Sequence, residues 1–295
     1  MQKKRFLKIG LPKGSLQEKT FEIFRRAGFN ISLASERSYF PFIDDPEIKI
    51  MLLRAQEISQ YVEKGVLDCG ITGEDWIREN NSKCVEIETL GYSKSRISPV
   101  FWVLAVPEDS KIKKLANLGG KRIATELVNV TREFLKEKKI EAIVEFSWGA
   151  TEVKASSGLV DAIVELTETG ESLKTHKLRP LTTVFVSNTK FIGNINSFRD
   201  RWKRKKMENL ALLLKGAVVS EKKVGLKMNV EEKNLKKVIT ILPALKKPTV
   251  SNLSEKNWFA IETIVDEEKV KDLILKLKEV GVQGIIEYPL NKVIY

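Results

Sequence analysis

The chain is poor in the residues that most often carry metal and nucleophilic chemistry. Among 295 residues there is one histidine, His176, and there are two cysteines, Cys69 and Cys84. Two cysteines cannot build a disulfide framework or a structural zinc site. With one histidine a His cluster is excluded, and any Ser/His or Cys/His pair would have to use His176. No stretch approaches the roughly 20 apolar residues of a membrane span, and the basic start, Met1 to Gly10, has no apolar run long enough for a signal peptide. A soluble, reduced, cytoplasmic protein with no membrane partner is therefore expected.

What is present is a core and a charge. Hydrophobic residues make up 42% and aromatics 8%, which excludes disorder over the whole length. At roughly 150 residues per domain the length suggests two domains, or three smaller ones. Lys+Arg 51 against Asp+Glu 39 leaves a net charge of +12. Such a field favours polyanions or phosphorylated small molecules, and equally describes a Lys-rich solvated surface. Arg199 to Lys206, with Trp202 interleaved, has the composition of a nucleic-acid stripe, but such a run is more often the solvated face of a helix, and no nucleic-acid partner is expected.

Apolar runs alternate with amphipathic stretches through the first half, the pattern of βα units. Phe6 to Leu11, Ile48 to Leu53 and Leu67 to Ile71 read as strands, with Thr72-Gly73 as a turn before a short helix from Glu74 to Glu79. A second series runs from Pro99 to Val106 through Lys121 to Thr125, Glu141 to Phe146 and Ala162 to Leu166. A long β-type run from Leu181 to Phe191 and a basic helix from about Ser197 to Leu214 follow. This predicts two α/β lobes, 1–94 with 182–216 and 95–181, with the ligand in the cleft between them. The tail, 217–295, reads βαββαβ, the split ferredoxin-like plan, after a linker from Gly216 to Lys223.

The stretch from Gly158 to Leu173 is the most informative. An apolar strand delivers Glu165 to its end. A tight loop, Thr167-Glu168-Thr169-Gly170-Glu171-Ser172, then opens the helix that holds His176. Free backbone N–H groups at such a junction suit a phosphate, hydroxyls of Thr169 and Ser172 add donors, and Gly170 lets the backbone come close. A strand-end carboxylate suits ribose hydroxyls. An ordinary capped strand-to-helix turn has the same composition.

Glu165-x-x-x-Thr169-Gly170-x-Ser172-Leu173 resembles the phosphoribosyl-diphosphate loop of phosphoribosyltransferases, and the whole stretch resembles that loop in the ATP phosphoribosyltransferase family. Leu11 to Leu16, Leu53 to Ile58, Asp68 to Gly73 and Gly120 to Thr125 are similar to further signatures of that family. Leu242 to Val250 is similar to the histidine-binding regulatory domain of its long-form members. The resemblance implies a two-lobed, periplasmic-binding-protein-like catalytic core plus a regulatory domain. It implies a reaction of ATP with phosphoribosyl diphosphate in the presence of Mg²⁺, carried mainly by the substrate diphosphate, and feedback by L-histidine. It further implies a homo-oligomer, dimeric or hexameric.

Carried over by position, Glu168, Thr169, Gly170, Glu171 and Ser172 would hold the 5-phosphate, Glu165 the ribose, and Lys13 and Arg54 the diphosphate or ATP phosphates. Asp75 and Trp76 would meet the nucleotide. Asn229, Leu245, Thr249 and Gly284 would hold the histidine inhibitor. Ser15 and Asn229 stand where many or some relatives carry arginine and an ionisable residue, and Glu171 where many carry a small or basic one. Two other classes fit the architecture or the charge: a two-lobed amino-acid or nucleotide sensor without catalysis, and a basic nucleic-acid binder.

Overall fold

The structure, a computed structural model, describes residues 5–35, 37–94, 97–243 and 247–295. Contacts divide the chain into two compact units, Met1–Arg25 with Phe29–Ala211, and Arg26–Gly28 with Leu212–Tyr295.

The first unit holds two five-stranded sheets, one per lobe. Its elements in chain order are β1 (Leu7–Pro12), α1 (Gln17–Ala27), a two-stranded hairpin β2 (Ile31–Ser32) and β3 (Phe42–Ile43), β4 (Ile48–Leu53), α2 (Ala55–Glu63), β5 (Cys69–Gly73), α3 (Glu74–Glu79) and β6 (Val85–Thr89). There follow β7 (Val100–Pro107), β8 (Arg122–Thr125), α4 (Val128–Glu137), β9 (Ile143–Phe146), α5 (Thr151–Ser156), β10 (Ala162–Thr167), α6 (Glu171–Thr175), β11 (Leu178–Ser187), β12 (Thr189–Gly193), α7 (Ile195–Arg199) and α8 (Arg201–Ser220), whose residues from Leu212 on belong to the second unit.

The first sheet has the order β4-β1-β5-β12-β6, and the second β11-β7-β10-β8-β9. In each, three parallel βα strands form one side of the sheet (β4, β1 and β5; β10, β8 and β9), and antiparallel strands join on the other side, where the chain passes between lobes. Buried strands explain the apolar runs: Leu7, Ile9, Leu11, Ala162, Ile163 and Val164 have no exposed surface. This is a two-lobed α/β plan, with the chain passing twice between the sheets.

Several sequence expectations differ from the structure. The run from Leu181 to Phe191 is two strands: β11 pairs with β7 of the second sheet through Ser187, and β12 pairs with β5 and β6 of the first. The chain thus returns at Asn188, not at 182. No separate turn follows Ile71, because β5 continues through Gly73. The basic helix breaks at Asp200, and α8 runs on through Ser220, so 216–223 is no linker. Gly216 sits inside α8 because a Cβ there would lie 3.0 Å from Ile294 and 3.2 Å from the Val293 carbonyl. Close packing, not helix termination, fixes that glycine.

The second unit continues with β13 (Lys223–Glu231), α9 (Glu232–Ile241), β14 (Thr249–Asn252), β15 (Trp258–Asp266), α10 (Glu267–Glu279) and β16 (Gln283–Pro289). Its antiparallel sheet has the order β14-β15-β13-β16, as the βαββαβ reading requires. Val270, Leu273 and Leu277 of α10 are buried against Leu226, Met228 and Ile261 of the sheet. Truncating such a leucine to alanine costs about 2–5 kcal/mol.

Candidate active site

The carboxyl ends of the parallel strands in both lobes open on one cleft of about 340 Å³. Ligands of open α/β sheets gather there because strand ends leave loop and helix-start N–H groups unpaired. The first lobe contributes Lys13 and Gly14 after β1, Arg54 after β4, and Asp75 and Trp76 after β5. The second contributes Trp102 from β7, Glu126 after β8, and Glu165, Leu166 and Glu168 from β10 and its loop. Ser93, Lys94 and Ser187 come from the two passages between lobes.

Lys13 is aimed by a tight turn. Its N–H donates to the Leu53 carbonyl at 2.7 Å, and Gly14 behind it has φ +101, a conformation that excludes most side chains. The Lys13 ammonium lies 3.8 Å above the Tyr39 ring and 3.4 Å from the Ser38 carbonyl. Arg54 is the extended residue before α2, and its guanidinium lies over the Trp148 indole of the other lobe, 5.5 Å from the ring centre. Trp148 is 56% exposed.

The opposite wall is acidic. Burial raises the Glu165 carboxyl to about 7, with the neighbouring carboxylates Glu152 and Glu126 adding to the shift and the N–H of Leu166, which donates to it at 3.1 Å, opposing it. Glu168 accepts from the Lys94 N–H at 3.1 Å, which ties the loop to the first passage between lobes.

Beyond Glu168 the loop is held by its own hydroxyls. The Gly170 N–H donates to Thr167 Oγ1 at 2.7 Å, the Glu171 N–H to Thr169 Oγ1 at 3.4 Å, and the Ser172 hydroxyl to Glu152 at 2.7 Å. Gly170 has φ +82, and a Cβ there would meet nothing within 4 Å. Backbone conformation therefore fixes this glycine, while the space beside it is open. Glu171 is exposed and pairs with Lys174 at 3.2 Å. Among the loop residues, Glu168 lines the cleft; Thr169, Gly170, Glu171 and Ser172 follow it without lining it.

Lys13, Arg54, Asp75, Trp76, Glu165 and Glu168 thus line one cleft. Asp75, however, is 2% exposed and both carboxylate oxygens are engaged, one by the Trp102 indole N–H at 2.7 Å and the other by the Trp76 N–H at 2.9 Å. Glu126, Lys94 and Trp102 were not singled out from the sequence. Glu126 was legible, since it ends an apolar strand as Glu165 nearly does.

Among the described residues no group of three or more His, Cys, Asp or Glu side chains is placed to hold a metal ion.

The histidine, the cysteines and the basic run lie away from the cleft. His176 ends α6, its Nδ1 2.9 Å from the Ser172 carbonyl. Cys69 is buried in β5, and burial pushes its thiol well up. Burial also raises the half-buried Cys84 thiol, to about 11. In the basic run, Lys203 pairs with Asp68, Arg204 with Glu208, and Lys206 with Asp45 and Glu47. Among the described residues no helix is long and apolar enough to cross a membrane.

In the second unit, Asn229 and Gly284 adjoin, a Cβ on Gly284 lying 3.3 Å from the Asn229 amide nitrogen. Thr249 is on β14, the sheet's edge, opposite Glu262 of β15, so a strand separates it from β13. Leu245 lies outside the described residues.

Fold and cleft together define a two-lobed α/β protein with one cationic and one acidic wall, suited to a phosphorylated, hydroxyl-rich substrate. Residues 54–216 match the ATP phosphoribosyltransferase family model, and 220–292 match that of the same family's C-terminal domain. The chain is 57% identical to the ATP phosphoribosyltransferase of Thermodesulfovibrio yellowstonii, over 99% of each chain. It is 56% identical to that of Desulforudis audaxviator, over 98% of this chain and 99% of the other. A solved ATP phosphoribosyl transferase (HisG:HisZ) complex from Thermotoga maritima superimposes with a TM-score of 0.60 at 28% identity, covering 71% of this chain and 98% of that one. The chain belongs to the ATP phosphoribosyltransferase family, pentosyltransferases of the first step of histidine biosynthesis.

Proposed function

We propose that the cleft joins N1 of the adenine of ATP to the anomeric carbon of 5-phosphoribosyl 1-diphosphate. The bond from that carbon to the diphosphate oxygen breaks, its electron pair leaves with pyrophosphate, and N1 supplies the pair for the new bond. The observation that carries this reading is the pairing of Lys13 and Arg54 on one wall with Glu126 and Glu165 on the other, in a single cleft.

Such a step needs no enzymic nucleophile. Positive charge grows on the ribose carbon and negative charge on the leaving diphosphate, so fixed charges of both signs and a held geometry lower the barrier. Lys13 and Arg54 would meet the diphosphate or the ATP phosphates, Arg54 through its planar fork. Glu165, as the carboxylate, would accept from ribose hydroxyls. The 5-phosphate would take the N–H groups of Gly170 and Glu171, displacing the bonds these now make to Thr167 and Thr169. Glu168, Thr169 and Ser172 would complete that loop, with Glu171 turned outward. Trp76 would form the wall beside the nucleotide. Bound Mg²⁺ would neutralise the diphosphate and so improve it as a leaving group.

For the second unit we propose L-histidine as an inhibitor, held around Asn229, Gly284 and Thr249, with Leu245 carried over by position. Assembly as a homo-oligomer, dimer or hexamer, and a cytoplasmic location belong to the same reading.

The test is pyrophosphate release with ATP, phosphoribosyl diphosphate and Mg²⁺, with and without L-histidine. Release that requires both substrates and falls with histidine is expected. Release indifferent to histidine would remove the inhibitor site and keep the enzyme. A folded protein that binds ATP without release would be a two-lobed sensor instead.

A further inference from the structure

The six-residue helix α3 follows a strand of the first sheet, yet four of its side chains reach the second lobe. Asp75 accepts the Trp102 indole N–H on β7 at 2.7 Å. Trp76 sets its ring edge-on to Trp102, with centroids 6.0 Å apart and planes at 89°, and packs against the second lobe's core. Arg78 donates to Glu133 of α4 at 3.0 and 3.1 Å and lies over Phe185 of β11. Glu79 accepts from the free N–H groups of Asn129 and Val130 in the first turn of α4, at 2.9 to 3.0 Å.

The same helix is anchored in the first lobe. The Glu74 N–H donates to the Asn188 carbonyl, the Ser59 hydroxyl to the Trp76 carbonyl, and Ile77 packs with Ile58 and Val62. At its start Gly73 makes room for Asp75: a Cβ there would lie 2.0 Å from the carboxylate. The Asp75 N–H also donates to the Ser187 hydroxyl at 3.1 Å, where the chain crosses back.

We propose that α3 is the clasp that sets the angle between the two lobes, with Asp75, Trp102 and Glu79 as positioning residues for the transfer reaction. The inference rests on the proposed reading of the cleft and goes beyond it, since it gives Asp75 a partner other than the nucleotide. The route to chemistry is short. Trp102 lies opposite Leu166 of β10, and the next residue, Val103, lies opposite Glu165. What holds Trp102 therefore holds the acidic wall at its distance from Lys13 and Arg54. Reacting atoms must come within about 3–3.5 Å in line, and a misplacement of about 1 Å costs on the order of 100-fold.

The test uses the full chain and three variants, Asp75→Asn, Trp102→Phe and Glu79→Gln, with pyrophosphate release followed while each substrate is varied in turn. Asp75 accepts from two N–H groups through two oxygens; asparagine has one acceptor and must set its NH₂ against a donor. Phenylalanine removes only the indole donor and keeps most of the packing. Both should raise KM for ATP and for phosphoribosyl diphosphate together, by about 10- to 100-fold, the range of a lost hydrogen bond to a charged group. The fall in kcat should be smaller, because saturating substrates draw the lobes back. Glu79→Gln, half-buried at the far end of α3, should raise both KM values about 3-fold.

Unchanged KM values with kcat lowered in proportion to the loss of folded protein would make α3 merely structural and overturn the clasp. A rise in KM for ATP alone in Asp75→Asn would make Asp75 a nucleotide contact instead. If Asp75→Asn does not fold, Glu79→Gln decides. If the parent chain releases no pyrophosphate, the reading of the reaction fails by itself. The clasp then stands or falls on whether Asp75→Asn alters the near-ultraviolet circular dichroism of the Trp76–Trp102 pair and weakens ATP binding in calorimetry.

Discussion

The two walls of the cleft are built alike and charged oppositely. In each lobe residues at or just beyond the ends of parallel strands line the cleft. Apart from the buried Asp75, the charged residues placed there are Lys13 and Arg54 in the first lobe and Glu126, Glu165 and Glu168 in the second. On the proposed reaction the same scaffold would separate two tasks, charge neutralisation of phosphates on one side and recognition of hydroxyls and a developing cation on the other. Arg54 over Trp148 is where the first wall reaches the second across the cleft.

Removing the cationic wall should have the largest effect. Arg54→Ala and Lys13→Ala should each lower kcat/KM by roughly 100- to 1000-fold, the range seen when one stabilising donor of a developing charge is lost. Steady-state pyrophosphate release checks this. Arg54→Lys should recover only part of the loss, because an ammonium keeps the charge but neither forks onto two oxygens nor stacks equally on Trp148. If the lysine variant matched the parent, the wall would act by charge alone.

Gly170→Val tests the loop between strand and helix on the acidic side. The surrounding space is open, so the valine meets backbone strain at φ +82 and no clash, a penalty of roughly 1–2 kcal/mol. Melting temperature should drop slightly and turnover almost wholly, because a loop pushed from that conformation no longer presents the Gly170 and Glu171 N–H groups together. Unimpaired turnover would remove the 5-phosphate from this loop.

How much of this was legible in sequence depends on the length scale. Strands such as Ile48–Leu53, helices such as α10 and the strand-loop-helix around Gly170 carry their own local signals. The break at Asn188 was not visible, because β11 and β12 are both apolar and β-branched with no glycine or proline between them. Gly216 misled for the opposite reason, a breaker residue kept for packing inside a helix. The alternation Val85-Glu86-Ile87-Glu88-Thr89 was a readable strand signal, whereas α5, at six residues, is too short for helical periodicity. Lys13, Arg54 and Glu165 could be chosen because strand ends are local features. That Trp102 would meet Asp75, 27 positions away and in the other lobe, is a property of the packed tertiary structure alone.

Glu165 allows the acidic wall to be titrated. Its carboxyl stands near 7 against an ordinary value of 4.5, so the fold prefers the neutral acid. That preference stabilises the protein fully below pH 4.5 and is lost as pH rises through 7. Glu165→Gln, which stays neutral, should therefore gain stability relative to the parent between pH 5 and 8, measured by thermal melting. On the proposed reaction the ionised carboxylate is the form that would accept ribose hydroxyls, so the parent's advantage in KM for phosphoribosyl diphosphate should widen over that range. A constant ratio of the two KM values would take the ribose away from Glu165.

The smallest effect on basal turnover is expected from the second unit, which supplies neither wall. Thr249→Ala on the edge strand β14 removes one hydroxyl from an exposed strand and should leave turnover without histidine within about twofold. Its effect should fall on inhibition, raising the histidine concentration for half-inhibition, since a lost hydrogen bond to a charged ligand is worth roughly 10-fold or more. Asn229 and Gly284 sit together while Thr249 stands with a strand between them, so one histidine bridging all three would have to span the outer surface of β15. An Asn229→Ala variant with weakened inhibition beside an unaffected Thr249→Ala would confine the ligand to the β13–β16 side of that sheet. Loss of basal turnover in Thr249→Ala would instead tie this strand to the reaction and end the proposed division between a unit that catalyses and a unit that responds.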